Sequence, residues 1–178
     1  MSDSRKHNGC GIAAMKWTPD KAITLCDELL HRPYMWDDVA MEDPLNALAG
    51  MLVNPSIVWY DIGPDYGVLW FDIAQSGVAT AHVVVWDRRA YGHAELIVAA
   101  ARDLVLSHNV HRVQAFIPAD NPLAIAFAER CGLVYEGTLR GFGKFAGTAV
   151  DAHVYGILAV EHEVMQEEFA HVDEATGA

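Results

Sequence analysis

One apolar run, Val78 to Trp86, constrains the fold of this 178-residue chain more than any other feature. Only Thr80 and His82 interrupt it, so the run indicates a strand that is apolar on both faces. A strand of this kind belongs inside a sheet whose two faces are covered by other elements. The run therefore predicts a central strand around which the rest of the chain is arranged.

A short basic turn follows the run and carries Arg88, Arg89 and Gly92. The next segment, Glu95 to Ser107, is rich in Ala, Leu and Val and indicates a helix. The first turn of a helix leaves backbone N–H groups unpaired at the positive end of the helix dipole, which favours anions. Because the arginines add positive charge, the turn predicts a site for a phosphate-bearing ligand. Asp87 is expected to cap the turn.

The remaining elements mix antiparallel hairpins with one crossover helix, which predicts an α+β fold with helices on both faces of a mixed sheet. We expect six to seven strands and about four helices, with the last two strands joined by the glycine-rich segment Gly141–Gly147. The predicted elements are strands at Cys10–Trp17, Ile57–Ile62, Val68–Ile73, Val78–Trp86, Val113–Ile117, Leu133–Leu139 and Ala149–Val160, and helices at Thr18–Leu30, Asp43–Leu52, Glu95–Ser107 and Leu123–Arg130.

The length suits a single domain, which we place at residues 1–160. Residues 161–178 contain six acidic residues and no Lys or Arg, which indicates a solvated acidic tail. The formal net charge of −12 weighs against a nucleic-acid-binding surface. The apolar runs are too short to cross a bilayer, and the N-terminal residues lack the apolar stretch of a signal peptide, so we expect a cytoplasmic protein with no membrane partner. The three cysteines show no C-x-x-C pairing and indicate buried thiols.

Two sequence blocks resemble the GNAT superfamily of acyl-CoA-dependent N-acyltransferases. The turn Arg89-Ala90-Tyr91-Gly92-His93-Ala94 is similar to the family motif Q/R-x-x-G-x-G/A. The block from Asn121 to Leu133 is similar to the run N-x-x-A-x-x-F-x-E-K-x-G-F. Glu136 to Arg140 and the segment around Tyr155 resemble the branch that acetylates protein N-termini and antibiotics.

The resemblance implies a single GNAT-like domain that uses acetyl-CoA as a co-substrate and needs no metal. It implies transfer of an acetyl group to a primary amine of a small molecule or of a peptide or protein N-terminus, with a homodimer possible. Asn121 would hydrogen-bond the CoA arm. Backbone groups of three strand residues would pair with the pantetheine, and amides of the turn would hold the pyrophosphate. These cofactor-binding residues are Val84, Val85, Trp86, Arg89, Ala90, Tyr91, Gly92, His93 and Ala94.

The catalytic side chains depart from the family pattern. Many members carry a Glu base on the central strand, but here the only titratable group on that strand is His82, whose ordinary pKa near ~6.5 suits a base. The frequent Tyr acid is replaced by Ala128. We predict His82 as base and Tyr155 as acid, with Tyr135 as another candidate acid. A satisfied core histidine and sheet packing of the tyrosines are the alternative interpretations.

A second hypothesis is a catalytically inactive GNAT-like module with a binding, regulatory or assembly role. The missing Glu and Tyr motivate it, as does the bulky Tyr91. A zinc deaminase is excluded because His93-Ala94-Glu95 is not followed by the P-C-x-x-C that would complete a metal site. Tyr34-Met35-Trp36, between the first two helices, is the candidate contact for the acceptor amine.

Overall fold

The computed structural model describes Met15 and residues 17–31, 44–63, 66–90, 92–107, 109–145 and 148–162. Four α-helices of at least nine residues, a short helical segment at residues 159–162 and six strands lie within these residues. They are α1 Pro19–Leu30, α2 Pro44–Val53, β1 Ile57–Asp61, β2 Gly67–Ile73, β3 Val78–Val85, a 3-10 turn at Arg88–Ala90, α3 Ala94–Leu106, β4 Arg112–Pro118, α4 Pro122–Arg130, β5 Val134–Phe145 and β6 Thr148–Leu158.

The strands form one six-stranded sheet in the order β1-β2-β3-β4-β6-β5. All neighbouring strands are antiparallel except β3 and β4, which run parallel. The predicted mixed sheet of an α+β fold is therefore confirmed. The predicted first strand, Cys10–Trp17, lies mostly outside the described residues, although the Met15 N–H donates to the Trp59 carbonyl at 3.0 Å.

The predicted helix ends are confirmed by their capping contacts. The Thr18 hydroxyl accepts from the Lys21 N–H at 3.3 Å, as the N-cap of α1 should. Gly132 follows α4 with a φ of +80°, and its N–H donates to the Glu129 carbonyl at 2.9 Å. Glycine adopts this left-handed conformation without the penalty that a Cβ brings, so it ends the helix.

Two hydrophobic clusters cover the two faces of the sheet. On one face, Leu25 of α1 and Leu48 of α2 pack with Trp70 and Val84. On the other face, α3 and α4 pack against alternate residues of β3, including the fully buried Ala79. The prediction that β3 is a central strand covered on both sides is confirmed.

The prediction that β5 ends at Leu139 is wrong, because the strand continues to Phe145. Its pairing with β6 shifts register twice, once near Gly137 and once between Leu139 and Gly143. Gly141 lies in the second shift with a φ of +61°, and its N–H donates to the Asp151 carboxylate at 2.7 Å. The glycines form bulges within one long strand, which the sequence alone presents as a loop.

The chain continues helically through residues 159–162 after β6. The His162 ring lies 3.5 Å from the Asp103 carboxylate, and Glu161 accepts from the Leu158 N–H at 2.9 Å. The first residues of the predicted acidic tail thus contact the domain, while residues 163–178 lie outside the described part. None of the helices described here has the length and apolar composition that crossing a membrane requires.

Candidate functional site

The parallel strands β3 and β4 diverge after a short paired region. Their register covers only three pairs, of which Thr80 with Gln114 is the last. Each strand continues further, β3 to Val85 and β4 to Pro118. Within the described residues, the edge of β3 that faces β4 therefore has no strand partner over residues 81–85. From this loss of pairing we infer a cleft between the two strands at the centre of the sheet.

Backbone direction decides which residues of β3 face this cleft. The Trp86 N–H donates to the Tyr66 carbonyl at 3.0 Å, and Val84 is aligned with Val68 of β2. Because hydrogen bonds of antiparallel strands alternate along each strand, Trp86 and Val84 point toward β2, and Val83 and Val85 point toward the cleft. Of the three predicted pantetheine-pairing residues, only Val85 has its backbone on the cleft side. Val83 joins it, because the register with β2 decides which alternate residues face the cleft.

The turn after β3 uses several of its own amides. The Arg89 N–H donates to the Asp87 carboxylate at 2.8 Å, and the Ala90 N–H donates to the Asp87 carbonyl at 3.0 Å. The His93 N–H donates to the Ala90 carbonyl at 2.9 Å. Asp87 caps the turn as the sequence predicts. The amides of Arg89, Ala90 and His93 are therefore engaged within the turn.

The start of α3 presents the remaining amides. The first hydrogen bond of the helix runs from the Ile97 N–H to the His93 carbonyl at 3.1 Å, and His93 makes no side-chain cap. Four donors around this start have no acceptor among the described residues, and Tyr91 lies outside them. Grouped N–H donors at the positive end of a helix fit a phosphate group. The donors are those of Gly92, Ala94, Glu95 and Leu96.

Gly92 leaves open space beside these amides. Its φ is +92°, and nothing lies within 4 Å of the position that a Cβ would take. A ligand can therefore approach the backbone closely here, whereas an L side chain would be both strained and in the way. Ala90 and Ala94 flank the turn and are buried in the core below it, which fixes the turn to the domain.

The two arginines of the turn differ in their surroundings. The Arg89 guanidinium donates to both oxygens of Asp87 at 2.9 and 3.1 Å and lies 4.9 Å from the centroid of the Tyr66 ring. The side-chain hydrogen bonds from Arg89 hold the pKa of Asp87 below its usual range. Arg88 is exposed and forms no ion pair within the described residues. The net positive charge of the turn therefore resides on Arg88.

A second ion pair lies at the start of α3. The Arg130 Nε donates to the Glu95 carboxylate at 2.6 Å and joins the last residue of α4 to the first turn of α3. A carboxylate at this position would repel an anionic ligand. Arg130 compensates the charge of Glu95.

Asn121 lies between β4 and α4. Its side-chain oxygen accepts from the Ala124 N–H at 3.1 Å, so Asn121 is the N-cap of α4. The helix occupies this oxygen, and the amide NH₂ group remains as the donor with which Asn121 could reach a ligand in the cleft.

His82 is placed just beyond the divergence of the two strands. Its ring is stacked on Trp70, with centroids 4.9 Å apart and an interplanar angle of 7°. Trp70 belongs to the cluster under α1 and α2, so His82 lies on that face of the sheet. Burial lowers the pKa of His82, and the Asp72 carboxylate opposes part of this effect. The ring is therefore neutral at pH 7 and can accept a proton.

Tyr155 lies on the opposite face, and the structure does not bring it to His82. It is aligned with Ala115 of β4, is 3% exposed, and packs in the cluster under α3 and α4. Its hydroxyl donates to Glu129 at 3.1 Å, and burial raises its pKa. The Tyr135 ring packs against it with centroids 5.6 Å apart. These contacts favour the packing interpretation for both tyrosines.

A row of polar side chains crosses the α1–α2 face beside His82. Gln114 donates to the Thr80 hydroxyl at 3.4 Å and accepts from the Arg112 Nε at 3.1 Å. Arg112 also pairs with Glu136 at 2.7 Å. Sequence analysis missed this row, because its members come from three separate strands. The only sequence signal is the i, i+2 spacing of Arg112 and Gln114.

Two aromatic rings lie at the β4 side of the cleft. Phe116 is stacked on Phe142 of β5 with centroids 4.7 Å apart and an interplanar angle of 21°, and Phe142 is 53% exposed. The predicted acceptor contact, Tyr34-Met35-Trp36, lies outside the described residues.

Comparison with solved structures shows that the chain shares its fold with N-acetyltransferases of known structure. Mutant forms of the spermidine/spermine N-acetyltransferase SpeG from Vibrio cholerae, in which two glutamates are replaced by glutamine, give a TM-score of 0.70 at 15% identity, over 88% of this chain and 97% of that one. The complex of the Vibrio cholerae spermidine N-acetyltransferase with CoA and spermine gives 0.67 at 15% identity, over 85% and 96%.

An alanine mutant of the same Vibrio cholerae enzyme gives a TM-score of 0.69 at 16% identity, over 85% of this chain and 96% of that one. Neither protein-family models nor the sequences of curated proteins match the chain. At these identities the similarity establishes the fold, and the site residues described above must carry the argument for function.

Proposed function

We propose that this chain is an N-acetyltransferase that transfers an acetyl group from acetyl-CoA to a primary amine of a small molecule or of a peptide or protein N-terminus. The observation that carries the proposal is the opening between β3 and β4 beside the start of α3, whose first amides have no acceptor among the described residues. The shared fold supports it, as does a structural neighbour that is in complex with CoA and spermine.

The residues of the cleft fit CoA. Backbone groups of Val83 and Val85 would pair with the pantetheine arm in the manner of a β-strand, and the Asn121 amide would donate to it from the other side. The amides from Gly92 to Leu96 would hold the pyrophosphate, and Arg88 would add positive charge. Acetyl-CoA, when bound, supplies the acetyl group as a reactive thioester.

The chain's own groups would then promote transfer. His82 takes one proton from the ammonium group of the acceptor, and the neutral nitrogen attacks the carbonyl carbon, forming the N–C bond as the C–S bond breaks. The attacking nitrogen then gives up its second proton to water and the leaving sulfur takes a proton from water, so that an amide and a thiol result. A backbone N–H on the cleft edge of β3 polarises the carbonyl oxygen. Most of the rate enhancement comes from positioning the two reactants and from polarising the carbonyl group. A general base adds roughly 10²–10⁴-fold.

A steady-state assay over a panel of primary amines tests the proposal. The wild-type chain should release CoA thiol continuously with at least one amine, and His82→Gln should lose most of this rate while still binding CoA. No release with any amine would contradict the proposal.

One observation favours a second candidate, a GNAT-like module that binds CoA without turnover. Ala128 occupies the position of the family's usual acid and is buried in α4, and the Tyr155 hydroxyl is engaged by Glu129. This candidate predicts that CoA raises the melting temperature while no amine promotes release of thiol.

A cytoplasmic location and a homodimer are further parts of the proposal. Both follow from the sequence and from the resemblance to GNAT enzymes. Light scattering of the purified chain tests the homodimer, and a monomeric mass at micromolar concentration would contradict it.

A further inference from the structure

Asp72 lies beside His82 on the face of the sheet covered by α1 and α2. The β2–β3 register aligns Asp72 with Thr80 and Trp70 with His82. Asp72 and His82 are therefore diagonal neighbours on one face, a relationship that places residues roughly 7–8 Å apart. Asp72 is exposed and lies opposite Thr80, the last residue of β3 that pairs with β4.

The titratable groups around this face include two ion pairs, the exposed carboxylates of Asp20 and Asp27 on α1, and the buried thiol of Cys26. Lys21 of α1 forms an ion pair with Asp61 of β1, and Arg112 of β4 forms one with Glu136 of β5. Helix α1 also carries the half-buried Glu28, whose side chain has a contact of its own, and α2 has no titratable residue. Asp72 forms no ion pair within the described part of the chain. It is thus the carboxylate left to act on His82.

Stacking on Trp70 fixes the plane of the His82 ring, so Asp72 acts on an imidazole of defined orientation. Burial disfavours the positive charge that His82 acquires when it takes a proton, and a fixed negative charge nearby offsets that cost. Both residues act on the ring from the neighbouring strand, Trp70 by stacking and Asp72 through its charge, since both are on β2 while His82 is on β3.

We propose that Asp72 is a positioning residue that stabilises the imidazolium of His82 while the acceptor amine is deprotonated. The proposal rests on the proposed acetyltransferase function. In the step concerned, one proton moves from the ammonium nitrogen to the imidazole, the N–C bond forms and the C–S bond breaks. The nitrogen gives its second proton to water, and the sulfur takes a proton from water. His82 then returns its proton to solvent.

An NMR titration of the His82 ring in the full chain tests the contact without requiring turnover. Asp72→Asn should lower the pKa of His82, and Asp72→Glu should restore it. Asp27→Asn removes one exposed charge from α1 and should leave the titration unchanged. An unchanged His82 titration in Asp72→Asn overturns the role of Asp72, even if the wild-type chain is active.

The pH dependence of kcat/KM tests the catalytic part. Because His82 in Asp72→Asn loses its proton at lower pH, the acidic limb of the profile should move to lower pH. The plateau should fall by roughly two- to fivefold, since the ring is a weaker base. A merely structural role would lower the plateau without moving the limb, and that result would overturn the proposal. The melting shift caused by CoA should stay at its wild-type size, so failure of CoA binding in the wild-type chain would count against the proposed function instead.

Discussion

The imidazole ring of His82 lies parallel to the indole ring of Trp70 on the neighbouring strand, at a centroid distance of 4.9 Å. The stack holds the imidazole on the sheet immediately past Thr80, where β3 and β4 separate. A base at this point is next to the cleft edge of β3, along which a thioester arm would lie. This position, together with the pKa of an imidazole, makes His82 the strongest candidate for the base.

The first prediction concerns Gly92. A ligand that binds only the folded state at 100 times its Kd stabilises by about 2.7 kcal/mol, which is roughly 5–10 °C in Tm for a chain of this size. Gly92→Val should abolish most of this CoA-induced shift, because the side chain fills the open space beside the amides. Gly141→Val is the matched control, since Gly141 also has a positive φ but lies in the β5 bulge. Differential scanning fluorimetry makes the comparison, and a full CoA shift in Gly92→Val would contradict this site.

The second prediction concerns the ion pair between Glu95 and Arg130. Arg130→Gln should weaken CoA binding roughly two- to fivefold, the effect of a partly exposed ion pair worth up to about 1 kcal/mol. The double variant Glu95→Gln with Arg130→Gln should regain most of the affinity, because the uncompensated carboxylate is removed. Isothermal titration calorimetry at low salt measures both. If the double variant binds as weakly as Arg130→Gln, Arg130 contacts the ligand itself.

The third prediction concerns the pH dependence of activity. Burial lowers the pKa of His82, so the neutral, proton-accepting form persists below the ordinary value of ~6.5. The acidic limb of kcat/KM should therefore lie below that value, with a plateau at higher pH. His82→Gln should remove the limb and lower kcat/KM by roughly 10²–10⁴-fold. An acidic limb that survives in His82→Gln would assign the base to another group.

The fourth prediction concerns Gly156, which makes room for the polar row. A Cβ at this position would lie 2.7 Å from a Glu136 carboxylate oxygen and 2.9 Å from the Arg112 guanidinium. Gly156→Ala should therefore lower the free energy of unfolding by about 1–3 kcal/mol, as overpacking does. Gly143→Ala, in the adjacent strand, meets nothing within 4 Å and should cost nothing. Equal stabilities of the two variants in urea titrations would contradict the observed packing.

The sequence predicts the layout of the fold well, because local physics sets most of it. Thr18 begins α1 and Gly132 ends α4, each with the capping contact that its residue type favours. The apolar run from Val78 marks the central strand through its lack of alternation. The length of β5 could not be predicted, since Gly141 takes a bulge that pairing with β6 stabilises. A glycine-rich segment gives no local sign of whether its partner strand continues.

The sequence predicts only part of the candidate functional site. The sequence shows that the turn around Gly92 is basic. It does not show that Asp87 binds the Arg89 guanidinium, because that contact depends on side-chain geometry within the turn. The choice of Val83 and Val85 over Val84 requires the register with β2. The role of Asp72 could not be predicted. Its proximity to His82 depends on the register between β2 and β3, which the residues of one strand alone do not determine.

The stoichiometry of the reaction tests the central claim most directly. Acetyl-CoA and an accepted primary amine are incubated with the wild-type chain, and released thiol and N-acetylated amine are measured in the same samples. The account predicts sustained turnover with one N-acetylated product for each CoA released, lost in both His82→Gln and Gly92→Val. Thiol release without an N-acetylated product, or no release from any amine although CoA binds, would contradict it.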